Sequence, residues 1–172
     1  MRFSSAVAPG VRPPTMEPSF EKLLVRLADA SVQFVVVGGI AVSLHGYVRL
    51  TEDVDILIAR TPENLARLLG TLADYGEGFA RELSPEDFPD EEGAIRIVEE
   101  SEQSQIDIFT RMTGQRFTDL IADAGEFPLS GRIIRFASKA ALIRLKSASL
   151  RDKDRLDVAA LRQLLDNPRA FD

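Results

Sequence analysis

The chain has 172 residues, of which 45% are hydrophobic and 28% charged, the composition of an ordinary globular domain. It has no cysteine and one histidine, which excludes disulfides, thiolate metal sites and His-rich zinc sites, so that any metal would be held mainly by oxygen ligands. The net charge of −6 argues against a broadly basic surface for nucleic acid. The sequence has neither an apolar run of bilayer length nor a secretory signal, which predicts a cytoplasmic protein without a membrane partner.

The first half of the chain alternates between helical and strand patterns. Four prolines in the first 18 residues predict a loose leader over residues 1–18. Thr61-Pro62-Glu63 predicts a helix start, because it supplies a cap, a proline at the first helical position and an acid in the first turn. The periodicity predicts helices over residues 20–30, 40–44 and from residue 61 onwards, and strands over residues 32–37 and 54–59.

The second half begins with an acidic loop over residues 76–93. The pattern then predicts a hairpin of strands 94–98 and 105–110, a helix at 117–124 and a strand at 132–137. Helices are predicted from Ser138 onwards, with one apolar stripe at residues 141, 142 and 145 and another at residues 156, 159, 160 and 164. We expect the charged tail residues to form a solvated ion-pair cluster: Arg151, Lys153, Asp154 and Asp157. The fold class is therefore α/β (α+β), a mixed β-sheet flanked by helices. We expect a core over residues 19–137 and a C-terminal helical segment, 138–172, packed on it.

Three aspartates stand where strands usually carry apolar residues. Asp53 and Asp55 are separated by one valine at the start of a predicted strand, so both project from the same face. Asp107 lies between two isoleucines in a later strand. Close carboxylates repel each other and aspartate is a poor strand former, so the pattern indicates a compensating divalent cation. If the strands are neighbours, the acids suit two magnesium ions about 3.5–4 Å apart; the simpler alternative is an exposed, solvated sheet face.

Gly38-Gly39 lies between the first strand and a helical turn, where backbone amides can approach phosphate oxygens. Alone, this dipeptide favours a tight turn. With the acids it forms the stretch VVVGGIAVSLHGYVRLTEDVDILI, which resembles the signature of the DNA polymerase beta-like nucleotidyltransferase superfamily. That signature is a Gly-Gly or Gly-Ser turn, a spacer, Asp-x-Asp and a third acid on a later strand. The stretch, and the tail LIRLKSASLRDKDRLDVAAL, especially resemble minimal bacterial nucleotidyltransferases, including those related to abortive-infection toxins.

The resemblance implies a nucleotidyltransferase fold and the transfer of a nucleoside monophosphate from a nucleoside triphosphate, such as ATP, to a hydroxyl. It implies that Asp53, Asp55 and Asp107 are catalytic and hold Mg²⁺, as two ions, with Mn²⁺ as a substitute. Asp107 would also help to deprotonate the acceptor hydroxyl.

Further residues are expected at the nucleotide. By the resemblance, Gly38 and Gly39 would line the triphosphate. Gly39 replaces the serine of the Gly-Ser form, and Ser43, one helical turn later, is the candidate substitute. Arg49 would contact a phosphate or pair with a neighbouring acid. Lys146 would contact a phosphate, or extend its stem from a core helix.

The acceptor could be a protein, a transfer RNA or a small molecule, and a cognate toxin or antitoxin is a possible partner. An RNA acceptor would be favoured if five cations gather on one face: Arg132, Arg135, Arg144, Lys146 and Arg151. The alternative from another class is a non-catalytic nucleotide- or partner-binding protein, antitoxin-like, on the same fold.

Overall fold

The computed structural model describes residues 18–48, 51, 53–75 and 78–172. Nearly all of the predicted leader, and Arg49, lie outside these residues. The elements in chain order are α1 (Pro18–Asp29), β1 (Phe34–Val37), α2 (Gly38–Leu44), β2 (Val54–Ile58), α3 (Pro62–Leu72), β3 (Ala94–Glu99), β4 (Ser104–Phe109), α4 (Phe117–Ile121), β5 (Gly125–Leu129), β6 (Arg132–Phe136), α5 (Lys139–Lys146) and α6 (Asp152–Asp166). Short 3₁₀ turns occupy Phe79–Glu82, Pro85–Asp87 and Glu100–Glu102. Among the described residues, no helix is both long and apolar enough to cross a bilayer.

The six strands form one mixed sheet in the order β3-β4-β2-β1-β6-β5. β1 is antiparallel to β2 and parallel to β6, while β2 is parallel to β4. The outer strands β3 and β5 are hairpin partners of β4 and β6. The predicted α/β class, with a mixed sheet, flanking helices and a C-terminal helix, is confirmed.

The central strands are apolar because both of their faces are covered. All four residues of β1 are buried, and in β2 only Asp55 is not fully buried. α1 and α3 each turn a leucine-rich stripe towards the core. The cap predicted at the start of α3 is present, since the Thr61 hydroxyl accepts a hydrogen bond from the Asn64 amide at 3.2 Å. The core therefore fixes the sheet register, and the register places the acids.

Strand β5 was not predicted from the sequence. Its residues include Gly125 and Pro128, which weaken a strand pattern, and proline is tolerated here because β5 is an edge strand. The signal that could have found it is Ser130-Gly131, where both residues have positive φ, 49° and 78°. Such a pair suits a tight two-residue hairpin turn, which joins β5 to β6.

Two predictions for α6 were wrong. The predicted apolar stripe included Leu156, which is 60% exposed, and Ala159, which is also exposed. Conversely, Asp154 and Asp157 are buried instead of solvated. The physical reason is Lys146 on α5, whose ammonium group pairs with both acids and therefore turns that face of α6 inwards.

Candidate active site

The pairing of β2 with β4 brings the three aspartates together. Asp55 lies directly opposite Asp107 in the parallel pair, and Asp53 precedes β2 on the same face as Asp55. Each residue offers a carboxylate oxygen, and these oxygens all lie within 4.8 Å of one another. The three predicted acids therefore converge on one patch at the edge of the apolar core.

Gly38 leaves the space that the Asp55 carboxylate occupies. Val37 is the β1 partner of Asp55, so the chain leaves β1 beside that carboxylate. A Cβ added to Gly38 would lie 2.0 Å from the Asp55 Oδ2, and the Gly38 φ of +68° also disfavours other residues. The structure thus gives a local reason for the first glycine of the pair, besides the approach of a phosphate.

Arg96 completes the patch, although it was not predicted as a site residue. It lies opposite Asp107 in the β3–β4 hairpin, and its Nε and Nη2 donate to the Asp107 Oδ1 and Oδ2 at 2.8 and 2.9 Å. Its Nη2 is also 3.7 Å from the Asp53 Oδ2. Gln105 donates to the same oxygen at 3.4 Å. Pairing the two predicted strands across their polar turn would have placed Arg96 beside Asp107.

The three carboxylates differ in pKa because burial raises the values of Asp53 and Asp55, whereas hydrogen bonds from Arg96 oppose that effect at Asp107. Burial, together with the charges of Asp53 and Asp107, raises the pKa of Asp55 to about 7. Burial and Asp107 also raise the pKa of Asp53. Burial acts in the same direction on Asp107, but hydrogen bonds, chiefly from Arg96, leave its pKa below the ordinary value. Asp53 and Asp55 thus carry negative charge that the protein compensates poorly.

This donor set fits a divalent cation with oxygen ligands. The three residues supply carboxylate oxygens alone, which suit Mg²⁺ or Mn²⁺ rather than a metal that prefers sulfur or imidazole. The raised pKa values of Asp53 and Asp55 indicate that a positive charge would be favourable at this patch. Three acidic residues are therefore placed to hold a metal ion.

The patch forms one wall of a cleft of about 740 Å³. The sheet contributes the aspartates, Arg96 and Gln105, while Gly38 and Gly39 lie at the end of β1. The facing wall comes from the C-terminal segment and includes Leu142, Leu145, Lys146, Ser149, Arg151 and Lys153. A strand face rich in acids thus faces a wall that carries cations, an arrangement that can hold a metal beside an anionic ligand.

Comparisons with known proteins bear on the fold. No protein-family model matches the chain, and no curated protein matches it. The structure is similar to the crystal structure of an antigenic nucleotidyltransferase-like protein from Paracoccidioides brasiliensis, with a TM-score of 0.51 and 16% identity, over 94% of this chain and 78% of that one. The chain has a nucleotidyltransferase-like fold. The bacterial subgroup and the toxin relationship stay predictions.

Within the nucleotidyltransferase-like fold, Lys146 lies on the cleft wall but is already paired. Its Nζ is 3.0 Å from the Asp154 Oδ1 and 3.1 Å from the Asp157 Oδ2, and only 10% of the side chain is exposed. Its charge still acts on the site, since it lowers the pKa of Asp55 against the larger effects of burial and the neighbouring acids. A direct phosphate contact would require this ammonium group to share or leave its two acids.

The remaining predicted residues do not all reach the cleft. Ser43 is buried in α2, 7% exposed, and is not among the residues that line the cleft. Arg132 and Arg135 lie on β6, where they pair with Asp29 and Glu126. The five cations considered for an RNA acceptor are therefore divided, with only Lys146 and Arg151 lining the cleft.

Proposed function

We propose that this chain is a metal-dependent nucleotidyltransferase that moves a nucleoside monophosphate from a nucleoside triphosphate to a hydroxyl. One observation carries the proposal: Asp53, Asp55 and Asp107 converge beside Gly38 and Gly39 in the cleft of a nucleotidyltransferase-like fold. A fold alone does not determine an activity, whereas the chemistry of a site limits what it can do. Carboxylates placed in this way suit phosphoryl and nucleotidyl transfer.

The proposed roles follow the positions of the acids. Mg²⁺ or Mn²⁺ held by the three carboxylates would neutralise charge on the triphosphate and favour ionisation of the attacking hydroxyl. Asp53 and Asp55 orient the triphosphate side of the site, and Asp107 accepts the proton of the acceptor hydroxyl. The hydroxyl oxygen forms a bond to the α-phosphorus, the bond from that phosphorus to the bridging oxygen breaks, and pyrophosphate leaves.

The glycine turn and the C-terminal wall hold the nucleotide in this proposal. Gly38 and Gly39 line the cleft without side chains, which leaves room for the triphosphate beside the acids. Lys146 adds positive charge from the opposite wall. Ser43 is buried outside the lining, so its predicted phosphate contact gains no support from its position. Arg49 lies outside the described residues, and its contact stays a prediction.

The acceptor could be a protein, a transfer RNA or a small molecule. Arg151 and Lys153 are exposed at the cleft and could contact an anionic acceptor, whereas Arg132 and Arg135 pair with acids elsewhere. A cognate toxin or antitoxin stays a prediction from the sequence resemblance.

A non-catalytic nucleotide- or partner-binding protein is the second candidate. The observation that favours it is the bidentate pairing of Arg96 with Asp107, which neutralises one of the three acids within the chain itself. A protein that had lost turnover could keep its site together in this way. The two candidates differ in whether the label of an α-phosphate is transferred.

The test is transfer of label from α-labelled nucleoside triphosphates in Mg²⁺, with a cell lysate as the acceptor pool. The Asp53→Ala/Asp55→Ala variant should transfer no label. The matched control is Asp74→Ala, which removes an exposed acid that pairs with Arg26, and it should transfer label normally. Digestion of the labelled product with protease or nuclease would assign the acceptor class.

Two results would change the proposal. Metal-dependent nucleotide binding without transfer from any of the four nucleotides would favour the binding protein. Absence of nucleotide binding would overturn the assignment of the site.

A further inference from the structure

Sheet register places a cation in line with two of the acids. Arg96, Asp107 and Asp55 are successive partners across β3, β4 and β2, so their side chains project from one face. The Arg96 guanidinium donates to both oxygens of Asp107, and it is 3.7 Å from an oxygen of Asp53. A positive group within the protein thus occupies carboxylate oxygens that a metal ion would use.

A guanidinium and a divalent cation cannot use these oxygens equally at the same time. Both are positively charged, and their repulsion at contact distance adds to the competition for the Asp107 lone pairs. Arg96 holds two hydrogen bonds to Asp107 in bidentate geometry, the strongest form of this pair. The entry of a metal must therefore weaken or break the pair.

Arg96 is far less enclosed than Lys146, another cation that lines the cleft. Its strand, β3, is at the edge of the sheet, and 57% of its side chain is exposed. The side chain of Lys146 is only 10% exposed and is fixed between two buried acids. Arg96 also lines the cleft, so its guanidinium can leave Asp107 and still remain beside a bound anion.

We propose that Arg96 is a displaceable counter-ion of the metal site. It pairs with Asp107 and Asp53 when no cation is bound, and it moves onto a phosphate of the nucleotide when metal and nucleotide enter together. The inference rests on the proposed function and adds to it a positioning residue with two partners. Triphosphate oxygens match the guanidinium donors that Asp107 gives up.

The proposal has a thermodynamic consequence. Metal alone must displace Arg96 without offering it a new partner, so metal alone should bind weakly. Nucleotide supplies that partner and should strengthen metal binding, and linkage requires metal to strengthen nucleotide binding by the same factor. Removal of the guanidinium should therefore strengthen the binding of metal alone and weaken the binding of nucleotide in the presence of metal.

The experiment is calorimetric titration of Mn²⁺ into the full chain at about pH 8, above the ordinary carboxylate pKa range. Arg96→Gln should bind Mn²⁺ at least about fivefold more tightly than wild type, the factor that one charge about 4 Å away gives even in water. In saturating Mn²⁺, it should bind an ATP analogue with a methylene bridge between the α and β phosphorus atoms at least about fivefold more weakly. Arg96→Lys, which keeps the charge but cannot donate two parallel hydrogen bonds as a guanidinium does, should be intermediate in both titrations.

Arg116→Gln is the matched control, because Arg116 makes a bidentate pair with Asp90 at 3.0 and 2.9 Å outside the cleft. It should leave both affinities unchanged.

If Arg96 only stabilises the fold, Arg96→Gln will bind Mn²⁺ no more tightly than wild type, and this inference is overturned while the proposed function stands. If neither wild type nor any Arg96 variant binds Mn²⁺, the proposed function and the inference both fail. Tighter Mn²⁺ binding together with unchanged analogue binding would contradict the movement of Arg96 to a phosphate.

Discussion

Two clusters of aspartates in this protein differ in the direction in which their surroundings shift the carboxyl pKa. Asp53, Asp55 and Asp107 meet on the sheet, and Asp154 and Asp157 lie together on α6, where Asp154 lines the cleft. In the sheet cluster, burial and mutual repulsion raise the pKa of Asp55 to about 7. In the helix cluster, hydrogen bonds outweigh burial and hold the pKa of Asp154 at about 2.

Donors, rather than burial, separate the two clusters. Asp154 and Asp157 are 2% and 0% exposed, whereas Asp53 and Asp55, whose pKa values are raised, are only partly buried. Asp154 nevertheless accepts hydrogen bonds from Lys146, Ser149 and Arg151 at 2.7–3.0 Å. The helix cluster is satisfied by the protein and holds the C-terminal segment together. The sheet cluster has too few donors and is the one that would gain from an added cation.

The largest effect on stability should follow from removal of Lys146. Lys146→Met leaves Asp154 and Asp157 buried without their shared cation, and breaking such a pair costs about 3–5 kcal/mol. The free energy of unfolding in urea measures the loss. Lys153→Met, at an exposed position in the same segment, should change it by less than about 0.5 kcal/mol. A loss below about 1 kcal/mol for Lys146→Met would show that the helix cluster is not held by this lysine.

The next effect tests the space beside the sheet cluster. Gly38→Ala places a methyl group on the Asp55 carboxylate, so it should destabilise the protein by about 2–3 kcal/mol and weaken Mn²⁺ binding. Gly131→Ala is the matched control, because its φ is +78° and no heavy atom beyond its two chain neighbours lies within 4 Å of the added Cβ. It should cost only about 1 kcal/mol, for the backbone strain alone. Equal losses for the two variants would show that Asp55 does not depend on this glycine.

The pH dependence of stability should identify Asp55 as a poorly compensated acid. Its folded pKa of about 7 lies above the ordinary value of 3.8, so between these values the folded state keeps a proton that the unfolded chain loses. Its contribution to stability is therefore complete below about pH 4 and is lost as the pH rises through about 7. Without metal, Asp55→Asn should match wild type near pH 4 and be more stable by about 1–3 kcal/mol near pH 8.

Urea unfolding at both pH values, in the presence of a chelator, measures this difference. A variant that is equally destabilised at the two pH values would mean that the carboxylate is compensated by the protein.

The smallest effect should come from the exposed donor of the helix cluster. Arg151 hydrogen-bonds Asp154, but 68% of its side chain is exposed and Lys146 and Ser149 remain after its removal. Arg151→Gln should therefore cost no more than about 1 kcal/mol in urea unfolding. A loss as large as that of Lys146→Met would remove the distinction between buried and exposed donors.

Much of the fold was predictable because its signals are local. The β-branched run of β1, the cap at Thr61 and the alternation around Asp55 each need only neighbouring residues. The meeting of Asp53, Asp55 and Asp107 followed from strand periodicity and the sequence resemblance. Strand β5 was missed because glycine and proline, tolerated at a sheet edge, hide its pattern.

The states of the acids and cations were not predictable in the same way, since they depend on distant partners. The sequence pattern of Asp154 and Asp157 is that of surface charges, and only the packing of α5 shows that Lys146 pairs with both. Arg96 is an ordinary strand arginine until the hairpin register sets it against Asp107. Composition and periodicity identify charged residues, but the donors within reach of each one are set by tertiary packing.

The most direct test of the account is thermal unfolding of wild type and of the Asp53→Asn/Asp55→Asn variant at about pH 8, with increasing Mg²⁺ or Mn²⁺ and with a chelator. The account predicts that the Tm of wild type rises with metal, whereas the variant has a higher Tm in chelator and does not respond to metal. The assignment of these aspartates as a metal site would be contradicted if neither ion changed the Tm of wild type, even with nucleoside triphosphate present. It would also be contradicted if metal raised the Tm of the variant as much as that of wild type.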